Sequence, residues 1–334
     1  MFDLSAYNTF NLTVFAKDGR EICSKQDLKE PVSRPYIILG GGSDVLFTED
    51  FDGTVLINRI KGIEVSKCSN GYKVRAGGGE ILDELIDKLL DKGICGLENL
   101  SLIPGTVGAA PIQNVGAYGI EIGDFIESIE AVDLKDGSEH VLGKDECNFG
   151  YRTSLFKEPE FSSYFITHVT FVLPDCFKPK QNYAGLQSVE FKSPRQVRDR
   201  VIALRNEKLP NPAYVGNAGS FFKNPYVTTE IYERLKAKYA NMPCWQQEDG
   251  SYKLAAGWLI DKSGCRGIKH GQVGTWGNQA LVIVNLGRAK PHEITALAKY
   301  ITAEVKEKFL IDLVPEVRLY GKNGEIAWDQ IWAL

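Results

Sequence analysis

An α+β fold of more than one domain is what this sequence predicts, on three observations. At 334 residues, with 43% hydrophobic and 25% charged residues, the chain can bury a core in each of two or three globular domains. Strand-like segments gather in the first half, and the amphipathic helices that follow are scattered, with no regular strand–helix alternation. The glycine turn Gly40-Gly41-Gly42-Ser43-Asp44 joins two strands and does not open a helix.

The elements follow in order. Residues 35–39 form a strand, Val45–Phe47 a second and 55–58 a third. Residues 72–76 alternate as a strand. Gly77-Gly78-Gly79 then leads into a helix over 80–92, whose leucines and isoleucines recur at helical spacing. Ile126–Asp133 and Tyr164–Leu173 are strands with a turn at Lys135-Asp136-Gly137 between them. Ser193 caps a helix over 193–208 with Pro194 at its first position. Beyond Pro210 come the loop GNAGSFFKNP, helices near 229–239 and 255–262, strand Gln279–Asn285 and a long helix over 292–308. A final strand over 312–320 returns to an earlier domain and puts Glu316 and Arg318 on one face.

Composition excludes several function classes. A net charge of −4 gives no general drive toward nucleic acid, so an anionic substrate must be met by a local group of cations. The N-terminal stretch lacks a signal peptide's basic region and apolar run, and no segment reads as a membrane span, so a cytoplasmic protein is expected. The seven cysteines are scattered without a C-x-x-C pair, which fits buried free thiols in a reducing compartment. Four dispersed histidines offer no metal site, so redox chemistry here needs an organic cofactor.

The cofactor clue lies in residues 102–119, LIPGTVGAAPIQNVGAYG. They carry no charge, yet two prolines and four glycines bar both a core helix and a strand. What remains is a tightly turned wall of small residues whose backbone can approach a large ligand. The glycine turn reads either as a tight hairpin or as a phosphate-binding nest, and it lacks the G-x-G-x-x-G spacing of a dinucleotide fold. Beside the wall, the nest reading gains. Three further groups each have a plain structural reading when taken singly. Arg152 in GYRTS is an ion-pair partner, Ser220 in GNAGSFF a turn former or a hydroxyl proton donor, and Glu316 with Arg318 a surface ion pair.

Together the motifs GGGSD, IPGTVGAAPIQNVGAYG, GYRTSLF, RNEKLP, GNAGSFFKNP, AAGWLIDKSG and LVPEVRLYG resemble, in this order, the UDP-N-acetylenolpyruvoylglucosamine reductase family. These are the UDP-N-acetylmuramate dehydrogenases of peptidoglycan precursor synthesis. The segment around Tyr183 resembles the form with an extra tyrosine loop over the substrate. The resemblance implies an FAD-binding fold of the vanillyl-alcohol-oxidase type in two α+β subdomains, over 1–60 with 311–334 and over 61–208. A smaller α+β substrate domain would span 209–310.

It also implies non-covalent FAD, NADPH as hydride donor, a UDP-sugar as the small-molecule partner, and a monomer. FAD would be held by Gly40, Gly41, Gly42, Ser43 and Asp44 of the glycine turn. On the wall the corresponding residues are Pro104, Gly105, Gly108, Ala109, Gln113, Asn114, Gly116, Ala117 and Tyr118. Arg152 would stabilise the developing enolate, Ser220 would protonate C2, and Glu316 with Arg152 would polarise the substrate carboxyl. Tyr183, Lys208 and Asn224 would hold the diphosphate and uridine, and Gln279 would be a further substrate contact. Two positions depart from the pattern. Asp44 stands where asparagine is usual, a repulsive charge beside a pyrophosphate unless it points away. Arg266 replaces a familiar lysine. One rival reading is another flavin enzyme on the same fold, such as an alcohol or lactone oxidase. Many of those tether FAD through a histidine, which the glycine-turn region here lacks. The other rival is a colourless nucleotide-sugar binder.

Overall fold

The computed structural model describes residues 1–333, the side chains of 332 and 333 excepted. The chain divides into two compact units. Unit 2 comprises Lys17–Gly42 and Gly53–Glu207; unit 1 comprises Met1–Ala16, Ser43–Asp52 and the chain from Lys208 onward.

Unit 2 is built on a five-stranded antiparallel sheet in the order Glu139–Gly143, Ile126–Asp133, Tyr164–Leu173, Gly71–Gly77, Ile63–Cys68. Helix α1 (Leu82–Asp91) places Leu82, Leu85, Ile86 and Leu89 on one face, the i, i+3, i+4, i+7 pattern of a core-facing helix. They bury against Val74, Ala76, Ile129, Ile166 and Phe171 of the sheet, and against Val107 and Ala110 of the uncharged wall. Each such side chain taken from water contributes about 1.5–3 kcal/mol, so burial on the core adds to the turn bonds that hold the wall. The strand Tyr36–Leu39 runs parallel to the end of Phe51–Asn58, with Tyr36 opposite Thr54 and Leu39 opposite Ile57. Helix α2 (Pro194–Lys208) starts at its proline, as expected. Its Arg198 pairs with Asp83 of α1 at 2.5 Å, largely buried, and Arg195 pairs with Asp87.

Unit 1 carries a four-stranded antiparallel sheet, Gly216–Asn217, Gln279–Asn285, Val273–Trp276, Lys269–His270. Helix α3 (Thr229–Lys238) is capped by Thr228, whose hydroxyl accepts from the Ile231 N–H at 3.4 Å. Helices α4 (Ala256–Lys262) and α5 (Pro291–Phe309) pack on the sheet, and Ile294, Leu297, Ala298, Ile301 and Val305 form the buried stripe of α5. The strand Val45–Phe47 pairs in parallel with Arg318–Gly321, which in turn pairs with Gly324–Ile326.

The α+β class and the five helices match the expectations, and the strands differ in several places. The turn at residues 135–137 leads into Glu139–Gly143, a hairpin partner of Ile126–Asp133, before the chain reaches Tyr164–Leu173. Phe15–Ile22 and Ile63–Cys68 are strands that the sequence did not announce. The strand expected over 312–320 begins only at Arg318. Pro315 has no N–H to give, and makes a single bridge to Phe222. Glu316 and Arg318 therefore do not share a strand face. The thiols also differ from expectation: all seven are free, but only Cys95, Cys147 and Cys265 are buried, and Cys23 and Cys176 are exposed.

Candidate functional site

Residues 102–119 form a succession of turns, extended only at Gly116–Ala117. The Val107 N–H donates to Glu80 O and the Gly108 N–H to Gly78 O, both at 2.8 Å. These bonds lay the wall along the start of α1. The glycine turn meets it closely. A methyl group on Gly40 would strike Thr106 Oγ1 and stand 2.8 Å from Ala109 Cβ. One on Gly41 would stand 2.9 Å from Gly105 Cα.

Three features fit this cradle to a large polar cofactor. The Thr106 Oγ1 and Gln113 Oε1 atoms are buried without a hydrogen-bond partner among the described residues, and such atoms ordinarily have one. The N–H groups of Gly41 and Gly42 make no bond to other described residues. Gly42 itself sits at φ +62°, in the left-handed region. Turn amides and orphaned oxygens around small side chains are the donor set that a pyrophosphate and a polar ring would use.

Backbone strain gathers at the same place. Among the described residues, four of the seven non-glycine residues with positive φ are Leu102, Asn114, Tyr118 and Arg152. Each conformation costs of order 1–2 kcal/mol for an L-residue, less for asparagine, and persists only where its surroundings hold it. Asn114, at φ +47°, is held at three points. Its Nδ2 donates to Glu121 Oε2 at 2.6 Å and Gly150 O at 3.1 Å, and its Oδ1 accepts from the Gly123 N–H at 2.9 Å. This ties the wall to the loop bearing Arg152. Arg152, at φ +54°, lies over the Tyr151 ring and donates from Nη2 to Gly116 O at 2.8 Å. Its guanidinium is thereby set against the wall. Tyr183 meets the far end of the wall, its ring edge-on to Tyr118 with centroids 4.9 Å apart.

The remaining expected residues belong to unit 1. Buried Asn217 shapes the GNAGSFF loop, donating to Val215 O at 2.8 Å and accepting from the Gly219 N–H at 2.9 Å. Gly219 takes φ +71°. The Phe221 N–H then donates to Leu281 O, and Phe221 O accepts the Glu316 N–H, both at 2.8 Å. Lacing with the fully buried Phe221 between them brings half-buried Ser220 and Glu316 onto adjoining backbones. Asn224 and Gln279 meet at the first turn of α4. Asn224 Oδ1 accepts the Ala256 N–H at 3.0 Å, and Gln279 Oε1 lies so near Gly257 that a methyl there would come within 2.7 Å. Arg266 donates to Gly277 O at 2.6 Å and stands 3.8 Å from Asp261. Lys208 is half-buried at the end of α2.

Asp44 has a cation within electrostatic reach. Its carbonyl accepts the Arg318 N–H at 3.0 Å, and its charge acts on the Arg318 guanidinium. Burial alone would depress Arg318, but the carboxylates of Glu325 and Asp44 help to offset it, and the guanidinium stays charged. The sequence reading set Arg318 beside Glu316; its partners are Glu325, at 2.9 Å from Nε, and Asp44. Thr106 was also missed. Thr106 could have been found as the one aliphatic hydroxyl in the uncharged run.

Comparison with known proteins agrees with these observations. Residues 24–143 match the model of an FAD binding domain, and residues 211–320 that of the UDP-N-acetylenolpyruvoylglucosamine reductase C-terminal domain. The chain is 42% identical to the UDP-N-acetylenolpyruvoylglucosamine reductase of Pectobacterium atrosepticum, over 98% of this chain and 97% of that one. It is 43% identical to that of Shewanella sp. strain ANA-3, over 98% of each, and 41% identical to that of Escherichia coli O157:H7, over 97% of each. The fold is similar to the crystal structure of the enzyme of the same name from Thermus caldophilus, with a TM-score of 0.65 at 24% identity, covering 95% of this chain and 96% of that one. The cradle, the FAD-binding match and the near full-length identity agree: the chain belongs to the UDP-N-acetylenolpyruvoylglucosamine reductase family of flavin-dependent oxidoreductases.

Proposed function

We infer that this chain reduces UDP-N-acetylglucosamine-enolpyruvate to UDP-N-acetylmuramate in peptidoglycan precursor synthesis, with FAD as bound cofactor and NADPH as hydride donor. The observation that carries this is identity above 40% along nearly the whole chain to reductases of that name, joined to a cradle whose orphaned polar atoms fit a flavin nucleotide. Bound FAD supplies a relay that takes a hydride from NADPH and passes it to the enolpyruvyl group. The chain's own residues do the rest. Gly41 and Gly42 offer amides to the pyrophosphate, and Thr106 and Gln113 offer their oxygens to the cofactor's polar groups. Arg152, held on Gly116, stabilises the negative charge that develops on the enolate, a preorganised electrostatic role. Ser220 gives its hydroxyl proton to C2, and Glu316 orients the carboxyl of the substrate. Tyr183, Lys208, Asn224, Arg266 and Gln279 bind the UDP-sugar.

The positive charge of Arg318, felt by Asp44, lessens the repulsion that this carboxylate would exert on a pyrophosphate. The same reading makes the protein a cytoplasmic monomer; among the described residues no helix is long and apolar enough to cross a membrane. The test is anaerobic. The purified protein should be yellow, bleach with NADPH, and recover its colour on addition of UDP-N-acetylglucosamine-enolpyruvate. Bleaching without recovery would assign another substrate, and a colourless protein that FAD cannot reconstitute would refute the reading.

A further inference from the structure

The turn that bears Arg152 closes on itself. The Gly150 N–H donates to Thr153 O at 3.1 Å, and the Thr153 N–H to Gly150 O at 3.2 Å. Arg152 is the third residue of this turn, at φ +54°, a place where positive φ ordinarily selects glycine or asparagine. An arginine there costs of order 1–2 kcal/mol and persists only where its surroundings hold it. The wall does so at alternate residues. Ile112 O accepts from Ser154 Oγ at 2.6 Å, Asn114 Nδ2 donates to Gly150 O at 3.1 Å, and Gly116 O accepts from Arg152 Nη2 at 2.8 Å.

Asn114 makes the middle tie, and its side chain is 2% exposed. Its second amide proton goes to Glu121 Oε2 at 2.6 Å, and its Oδ1 accepts the Gly123 N–H at 2.9 Å. Glu121 is itself fixed. It pairs with Gly116 across the short hairpin, and its carboxylate also accepts the Asp124 N–H. A methyl on Gly116 would stand 2.9 Å from Glu121 Cγ and 3.3 Å from Arg152 Nη1, so both side chains flank the same piece of backbone. Both protons of the Asn114 amide are thus spent inside the protein. The side chain has no donor left for a cofactor, although the resemblance places it among the FAD contacts.

We propose that Asn114 is a positioning residue for Arg152 and not a cofactor contact: it anchors the turn over 150–153 to the wall and so sets where the guanidinium stands. The role of Arg152 at the enolate rests on the function inferred above. Loss of the anchor is felt where charge develops on the substrate, because a displaced guanidinium meets the enolate poorly. Flavin binding and hydride uptake from NADPH do not draw on it.

The experiment compares the parent and Asn114→Gly as FAD-loaded enzymes. Glycine takes φ +47° without strain, so only the side chain is lost. Reoxidation by saturating UDP-N-acetylglucosamine-enolpyruvate should slow by about 10- to 100-fold. The rate of NADPH bleaching and the FAD dissociation constant should stay those of the parent, and backbone amide exchange across residues 150–154 should quicken. In an Arg152→Ala background, Asn114→Gly should add little, since both act through one guanidinium. Unchanged reoxidation or exchange, an equal loss in the NADPH step or in FAD affinity, or full additivity with Arg152→Ala would each overturn the proposal. Should Asn114→Gly fail to fold, Glu121→Ala frees the amide from its other side and must reproduce the slowed reoxidation and the faster exchange; parental values there would overturn it too. A parent enzyme that leaves this substrate unreduced would sink the functional reading alone, because amide exchange in the two proteins still decides whether Asn114 holds the turn.

Discussion

The cradle makes a sharp demand on Gly41. An added methyl would sit 2.9 Å from Gly105 Cα, where non-bonded carbons rest at about 3.5–4.0 Å. Relief requires the two backbones to part by roughly 0.6 Å or more, and no side chain can rotate away because both atoms belong to glycines. Overpacking of this kind costs about 1–3 kcal/mol. In the empty protein Gly41→Ala can open the turn at little cost; with FAD bound the turn must close on its phosphates, so the strain appears as lost affinity. The range corresponds to FAD binding weaker by about 5- to 150-fold. Titration of the apoprotein followed by flavin fluorescence gives the dissociation constant, and thermal unfolding of the apoprotein reports strain that persists without FAD. Gly277→Ala is the control, since its methyl would meet nothing within 4 Å. If Gly41→Ala binds FAD like the parent and melts at the parent's temperature, the turn and the wall do not form the closed cradle described here.

Other outcomes follow from the same geometry. Ser220→Ala should slow reoxidation by substrate by about 10²–10⁴-fold and leave NADPH bleaching intact, as stopped-flow absorbance will show. Arg152→Lys keeps the charge but loses the planar fork seated on Gly116; reoxidation should fall by about 10²-fold or more in the same assay. Glu130 is held at about 2, chiefly by its bonds to Arg75, against an ordinary value of 4.5. A depressed carboxylate stabilises the fold above its unfolded value and loses that contribution as pH falls through its folded one. Acid melts between about pH 4.5 and 2 should therefore lose stability, and Arg75→Gln should flatten that slope. Burial pushes the thiols of Cys95, Cys147 and Cys265 up to about 11, 12 and 11. A disulfide reagent at pH 8 should titrate Cys23 and Cys176 in the native protein and reach those three only after denaturation.

How much of this was legible depended on whether the signal was local. Ile126–Asp133 and Tyr164–Leu173 announce themselves because buried sheet positions demand β-branched and aromatic runs, and their bounds agree with the sequence reading. Glu139–Gly143 and Ile63–Cys68 are edge strands with no fully buried side chain, so their apolar alternation is short and weak, as at Ile63 and Val65. The wall was legible as a wall because proline and glycine restrict the backbone wherever they stand. Its strained corners were not, since Tyr118 and Arg152 take a left-handed conformation that their residue types do not advertise. Asp44 read as an electrostatic problem, because its compensating Arg318 lies far along the chain.

The interleaving of the two units also bears on how the protein is made. Unit 2 has all its segments once Glu207 has been synthesised, but Val45–Phe47 of unit 1 pairs with Arg318–Gly321. The 111 residues from Glu207 to Arg318 take roughly 6–20 s to translate at about 5–20 residues per second. Throughout that interval the apolar tripeptide Val45-Leu46-Phe47, wholly buried in the finished protein, has no strand to join. The nascent chain thus carries a sticky, unsatisfied edge next to a cofactor-binding half that is ready to close. Overexpression should favour aggregation through that strand.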